Sequence, residues 1–255
     1  MSPTSRERFA AVVRTEPVDL GLACLLIAAQ ADPALDIRAA QAELDRLARS
    51  VDPKRPPVEA LRGVLAGFTG DARDYADLRS SLLPEVLRRR AGLPILLSVV
   101  WLEVARRCGM PADGIGLPGH FVVRVGGGYV HNYVHNYVDP FAGGARLDVS
   151  GVPAPYLRPW DAAEMLLRIL SNIRAWAGHS TDRARTRLWA VELSLLLPHH
   201  PVDLRRERGV LLVAGGDFAG GARELVGYAE LVAAADPAAA ERAREQAGAA
   251  RARLN

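Results

Sequence analysis

Two residues have the types and the order that chemistry needs. His120 opens the apolar run Phe121-Val122-Val123-Arg124-Val125, and Asp139 closes a second run from Tyr129 to Val138. A long apolar helical stretch precedes both, and helix, strand with His, strand ending in Asp is an order with chemical meaning. Each residue also has a plainer role. A lone His that begins a strand is usually structural, and an Asp before Pro140 can simply start a turn. Ser98, inside the apolar stretch, is a candidate replacement nucleophile. A Ser in a buried helix more often bonds the carbonyl one turn back. Cys24 and Cys108 lie in apolar helical patterns and are too few for a disulfide framework. They read as small buried side chains.

His131-Asn132-Tyr133-Val134 repeats as His135-Asn136-Tyr137-Val138. A His-x-x-x-His spacing pairs metal ligands only on a helix. Asn, Tyr and Val favour strand or turn, where residues four apart are separated by roughly 13 Å. No metal is expected there or at His199-His200, which reads as a solvated turn before Pro201. Tyr133, Tyr137, His131 and His135 lie near the expected cleft without a catalytic part. Gly126-Gly127-Gly128 joins strands, so neither a phosphate cradle nor a cofactor is expected.

The elements that would position these groups are mostly helical. From Pro94 to Ala105 only Ser98 and Glu103 are polar, so this helix belongs inside the protein. Pro94 suits its first turn, and Cys108-Gly109-Met110-Pro111 stops it. Before it come helices over 5–15, 17–31, 36–51 and 58–68, then one capped by Ser80 or Ser81 and running to Arg90. Residues 69–77 read as a polar turn. Ser150 to Pro159 reads as a linker. Beyond it, Asp161 caps a helix over 162–178, and helices follow over 182–197, 202–214, 217–233 and 237–254. Gly209, Gly215-Gly216, Phe218 and Ala222 fit one tetratricopeptide unit, with small residues where helices touch. About one and a half repeats are too few to stand alone, so these helices are expected to dock on the first domain.

Several of these segments resemble a known family. Gly109-Met110-Pro111 matches the Gly-hydrophobic-Pro turn that ends the nucleophile helix of transglutaminase-like proteins, relatives of papain-like proteases. In that family a Cys opens the helix, a His follows on the first strand and an Asp on the next. Gly92-Leu93-Pro94 stands where the family has Gly-x-Cys, so Pro94 holds the nucleophile's place. His120 in Pro118-Gly119-His120-Phe121 and Asp139 in Asp139-Pro140-Phe141 stand where the His and Asp should. The closer resemblance is to the bacterial SirB-type group. It rests on Ser81 to Leu87, Arg90 to Ser98, Pro118 to Phe121, Asp139 to Gly144, Leu167 to Ile173 and Leu204 to Gly209. Members commonly have Gly-x-Pro in place of Gly-x-Cys and carry tetratricopeptide-like helices after the domain.

Composition agrees with a soluble chain: 49% hydrophobic, 24% charged, net charge +3, with Lys54 the only lysine. The arginines are interleaved with acids, which reads as solvated faces and excludes a nucleic-acid footprint. The polar start and the apolar run Leu20 to Ala31, set between Asp19 and Asp32, read as a core helix, with neither signal peptide nor membrane span. The expected fold is α+β. A transglutaminase-like (papain-like) core with a buried central helix and small antiparallel sheet occupies 1–159, and an all-α tetratricopeptide-like region occupies 160–255. With proline where the resemblance puts the thiolate, the expected protein is a catalytically inactive scaffold or regulator that binds a protein or peptide, and the polar start makes the cytoplasm the expected compartment. His120 and Asp139 would be its remnant dyad. The alternative is a hydrolase or acyltransferase using that pair without a cysteine. A tight hairpin about Gly127 would put His120 opposite Val134, leaving Asp139 far beyond it. Keeping the pair together requires extra residues in a long, mobile tip around Gly126 to Tyr133. The four-residue repeat keeps His131, Tyr133, His135, Tyr137 and Asp139 on one face.

Overall fold

The computed structural model describes residues 4–126 and 136–254. Two compact units divide at Ile169 and Leu170. In the first, α1 (Ser5–Val12), α2 (Leu20–Ala31), α3 (Ile37–Arg49), α4 (Pro57–Leu65) and α5 (Leu83–Arg89) lead to α6 (Pro94–Arg107). Helices α2 to α5 all pack on α6. Every residue from Pro94 to Trp101 is buried, as an all-round apolar sequence demands. Pro94 is the first residue of the helix, where a missing N–H costs nothing. At the other end Gly109 turns left-handed (φ +66°), and Met110 N–H reaches back to Ala105 C=O at 2.9 Å. Gly109 N–H bonds Arg106 C=O at 3.1 Å, completing a Schellman cap.

Glu103 is the one acid in α6, and only 2% of it is exposed. Its Oε1 accepts Gly21 N–H at 3.2 Å, in the first turn of α2. Its Oε2 takes Arg106 at 2.9 Å and also Arg107, whose Nε reaches Asp45 of α3 at 2.7 Å. A Cβ on Gly21 would fall 2.7 Å from Oε2, so the close approach requires glycine. One buried carboxylate thereby ties three helices together.

The segment before α6 differs from expectation. Ser80 and Ser81 cap no α-helix; they lie in a 3-10 turn, Leu78–Ser81, capped by Asp77. Helix α5 starts only at Leu83, with Pro84 in its first turn. Ser80 is turned inward because its hydroxyl donates to the buried Asp74 carboxylate at 2.6 Å.

The sheet is an antiparallel meander, β1 (Ala112–Leu117), β2 (His120–Val125), β3 (Tyr137–Asp139) and β4 (Ala145–Arg146). β1 was not expected, because Ala-Asp-Gly-Ile-Gly-Leu lacks a strand's composition. Its glycines are where other groups press on the sheet: Met165 and Phe121 at Gly114, Trp160 at Gly116. Residues 150–159 are likewise no linker. Val152 and Leu157 pack with Leu147 and Val149 over Ile115, Val122 and Tyr137, and Pro159 bridges to Ile115. The unit therefore extends into α7 (Ala162–Ala177), whose Met165, Leu166 and Ile169 are buried. As expected, Asp161 caps this helix, accepting Glu164 N–H at 2.8 Å.

The second unit continues through α8 (Ala184–Ser194), α9 (Asp203–Ala214), α10 (Phe218–Val232) and α11 (Pro237–Ala252). A Cβ on Gly209 would meet Leu225, and one on Gly221 the Gly209 carbonyl, so small residues let α9 and α10 touch. Glu207 of α9 pairs with Arg174 of α7 and Arg187 of α8; Arg208 pairs with Glu192 of α8 and Glu224 of α10. Among the described residues no helix is long and apolar enough to cross a membrane.

Glu103→Gln is expected to cost about 3 kcal/mol, because it leaves buried arginine charge short of its partner. Urea unfolding of the full chain measures this. A loss under about 0.5 kcal/mol would mean that the network contributes nothing net to stability.

Candidate functional site

His120 begins β2 and Asp139 ends β3. The strands pair Val123 with Val138 and Arg124 with Tyr137, where a tight turn about Gly127 would set Val123 opposite His131. The longer register draws Asp139 back toward His120. Alternation along the strands puts His120, Val122, Arg124, Tyr137 and Asp139 on one face. Tyr137 is buried there; His131, Tyr133, His135 and the hairpin tip lie outside the described residues.

The His120 Nε2 stands 3.0 Å from Asp139 Oδ2, with the side chains 28% and 18% exposed. The other carboxylate oxygen is already committed. Oδ1 accepts the backbone N–H of Phe141 at 2.9 Å and of Ala142 at 3.4 Å, capping the turn Pro140–Ala142. Burial by itself would raise the Asp139 pKa. The hydrogen bond and charge of His120, with the two backbone donors, outweigh it and hold the carboxyl below its ordinary value. In the neutral ring, a carboxylate 3.0 Å from Nε2 favours the tautomer with the proton on Nε2 and the lone pair on Nδ1. Nδ1 has no polar partner among the described residues.

The Phe141 ring meets the imidazole edge-on, with centroids 6.1 Å apart. Phe141 in turn is held by a segment that had read only as a polar turn. Gly70 N–H donates to Phe141 C=O at 3.1 Å, while Thr69 exchanges hydrogen bonds with Arg90 and Gly92 just ahead of α6. A Cβ on Gly70 would collide with the Phe141 ring and lie 2.5 Å from the Gly92 carbonyl oxygen. Thr69-Gly70 thus stitches the start of α6 to the Asp139 turn. Nothing in the composition of residues 69–77 signalled this; the only hint was a glycine between two polar neighbours.

The remaining candidates fall away from the pair. Ser98 is fully buried, and its hydroxyl turns to the Phe121 carbonyl of β2, 3.5 Å away, instead of to the carbonyl one turn back. With no access to solvent it cannot replace the nucleophile. Cys108 caps the far end of α6, and its sulfur approaches the Ala48 carbonyl at 3.6 Å. Burial pushes its thiol pKa up. Cys24 is buried; desolvation, then the charges of Glu103 and Asp19, push its thiol further still. His200 Nδ1 sits 2.8 Å from the Leu197 carbonyl, a local turn contact. Among the described residues no cluster of three metal-ligating side chains forms.

Because the folded Asp139 pKa lies below its ordinary 3.8, the stability it lends is complete above that value. It is lost as pH falls through the lower folded pKa. Asp139→Asn should therefore destabilise the chain at pH 6, and the gap to wild type should narrow below about pH 3.8. Urea unfolding at pH 6 and pH 3 tests this; a gap that does not change with pH would contradict it.

The family described as the transglutaminase-like superfamily matches residues 34–172, and a tetratricopeptide repeat matches residues 173–255. The UPF0162 protein of Xylella fastidiosa strain 9a5c is 34% identical over 182 residues, covering 65% of this chain and 63% of that protein. The UPF0162 protein of Pseudomonas aeruginosa is 35% identical over 182 residues, covering 62% and 65%. Mouse F-box only protein 21 is 39% identical over 57 residues, 22% of this chain and 9% of that one. The chain spans less than two thirds of the length of these UPF0162 relatives. No solved structure matches. With its domain match, its trailing repeat match and its UPF0162 relatives, this chain belongs to the transglutaminase-like superfamily, as a SirB-type member with a tetratricopeptide region.

Proposed function

We propose that this chain is a catalytically inactive transglutaminase-like protein that binds a protein or peptide as a scaffold or regulator. The observation that carries the reading is Pro94 as the first residue of α6, where the family places its cysteine. Without a thiolate, the imidazole has no nucleophile to activate. Neither thiol can substitute. Cys24 is buried, and Cys108 lies the full length of a 14-residue helix away, roughly 20 Å at 1.5 Å per residue. We take residues 1–159 as the domain that keeps the pair and 160–255 as the partner-binding domain. The tetratricopeptide match supports the binding part, since stacked helix pairs offer extended concave surfaces. The two free thiols favour the cytoplasm as its compartment.

A second reading, a hydrolase or acyltransferase using His120 and Asp139 alone, is favoured by one observation. The imidazole is oriented at 3.0 Å and partly open, as a working base would need to be.

The purified chain is expected to show no thiol-dependent transamidase or protease activity. The assay supplies an amine donor and a glutamine-containing acceptor, with and without prior alkylation by iodoacetamide. Turnover abolished by alkylation would sink the inactive reading and point to Cys108 or Cys24.

A further inference from the structure

We infer that Nδ1 of His120 is itself a nucleophile, and that the site accepts acyl groups from activated donors such as aryl esters and thioesters. The inference rests on the second reading above, in which His120 and Asp139 act without a cysteine, and if it holds, that reading replaces the inactive one. It goes beyond a base for water by naming the attacking atom and the class of donor.

Three features of the pair support it. Nε2 faces Asp139 Oδ2 at 3.0 Å, so the tautomer this contact favours presents its lone pair at Nδ1. Asp139 cannot swing away, because Oδ1 is held by two backbone N–H groups of the turn it caps. Nδ1 meets no polar partner among the described residues, and the side chain is 28% exposed. Pro94 offers no thiol for the ring to activate, which leaves the lone pair free to attack carbon.

The balance of the step selects the substrate. The Nδ1 lone pair forms a bond to the acyl carbon, and the bond to the leaving group breaks with its electrons. The ring becomes an acyl-imidazolium, keeping Nε2–H on Asp139, whose negative charge offsets the new positive one. Water then adds at the acyl carbon, and the N–C bond breaks with its electrons returning to Nδ1. A carboxylic acid and a proton leave, and that proton balances the departed phenolate or thiolate. The ring has no proton to spare for the leaving group, since its only N–H is committed to Asp139. Phenols and thiols ionise near pH 10 and 8.5 in free form, so their anions depart unaided. An amide nitrogen must be protonated to leave, so amides are excluded.

The test uses the full chain with its thiols blocked by methyl methanethiosulfonate, and p-nitrophenyl acetate as the donor. Nitrophenolate release is expected at least about tenfold faster than from free imidazole at the same concentration. Acid quenching should place the acetyl group on the His120 peptide. Release should fall to the imidazole level in His120→Gln and by about tenfold in Asp139→Asn, with no cleavage of p-nitroacetanilide. Mapping on the wild-type chain decides the matter even if the His120 variant fails to fold. Acetyl on another residue, release no faster than imidazole, or full activity in a folded His120→Gln would each overturn the inference. None of these outcomes touches the binding reading. Release abolished by thiol blocking would overturn both.

Discussion

The structure turns on how Asp139 divides its two oxygens. One is spent on the backbone of its own turn; the other is left facing His120. A carboxylate fixed in this way has one orientation. The imidazole it faces therefore has one favoured tautomer, and the lone pair one direction. Everything nearby serves that arrangement. The β2–β3 register is stretched so that the two strand ends meet, and Phe141 leans on the imidazole edge-on. Gly70 lets Phe141 sit against the segment that precedes α6. A single Cβ at Gly70 would force the Asp139 turn and the start of α6 apart, which is why a glycine with no positive φ is still required there.

Helix α6 supports the sheet and opens on a proline. It is buried along its first eight residues, closed by a Schellman cap, and tied to α2 and α3 through Glu103. Proline at its first position costs the helix nothing and removes any nucleophilic side chain. The helix around the position is closely packed, and the position itself carries a proline. That contrast is why we read this domain as one that keeps an oriented His–Asp pair without a cysteine nucleophile.

Much of this was legible in the sequence, for reasons that can be named. α6 stood out because it is apolar on all sides, with a proline at one end and Gly-Met-Pro at the other. α7 announced itself through its Asp161 cap, and α9 and α10 through the Gly209–Ala222 small-residue pattern. His120 and Asp139 were legible through their order, but the parity argument from the His-Asn-Tyr-Val repeat did not hold: the register differs from the tight turn by an odd number of residues, and that is what brings Asp139 onto the face of His120. What was hidden depended on tertiary contact. β1 is a strand because Trp160 and Met165 fill the spaces over its glycines. Residues 150–159 look like a linker in composition, yet their few apolar side chains cover the sheet. Ser80 looks like a cap and is in fact a buried donor to Asp74. The role of Thr69-Gly70 follows from what lies on either side of it in space, and no local pattern records that.

The central claim is that Asp139 fixes His120 with the proton on Nε2 and the lone pair on Nδ1. Nitrogen-15 NMR of the imidazole side chains measures this directly, since protonated and unprotonated ring nitrogens resonate far apart. The account predicts, at a pH where His120 is neutral, a single Nε2–H tautomer with a deshielded, slowly exchanging proton. Asp139→Asn should replace it with a tautomer mixture. A proton on Nδ1, or a wild-type mixture that the Asp139 variant leaves unchanged, would contradict it.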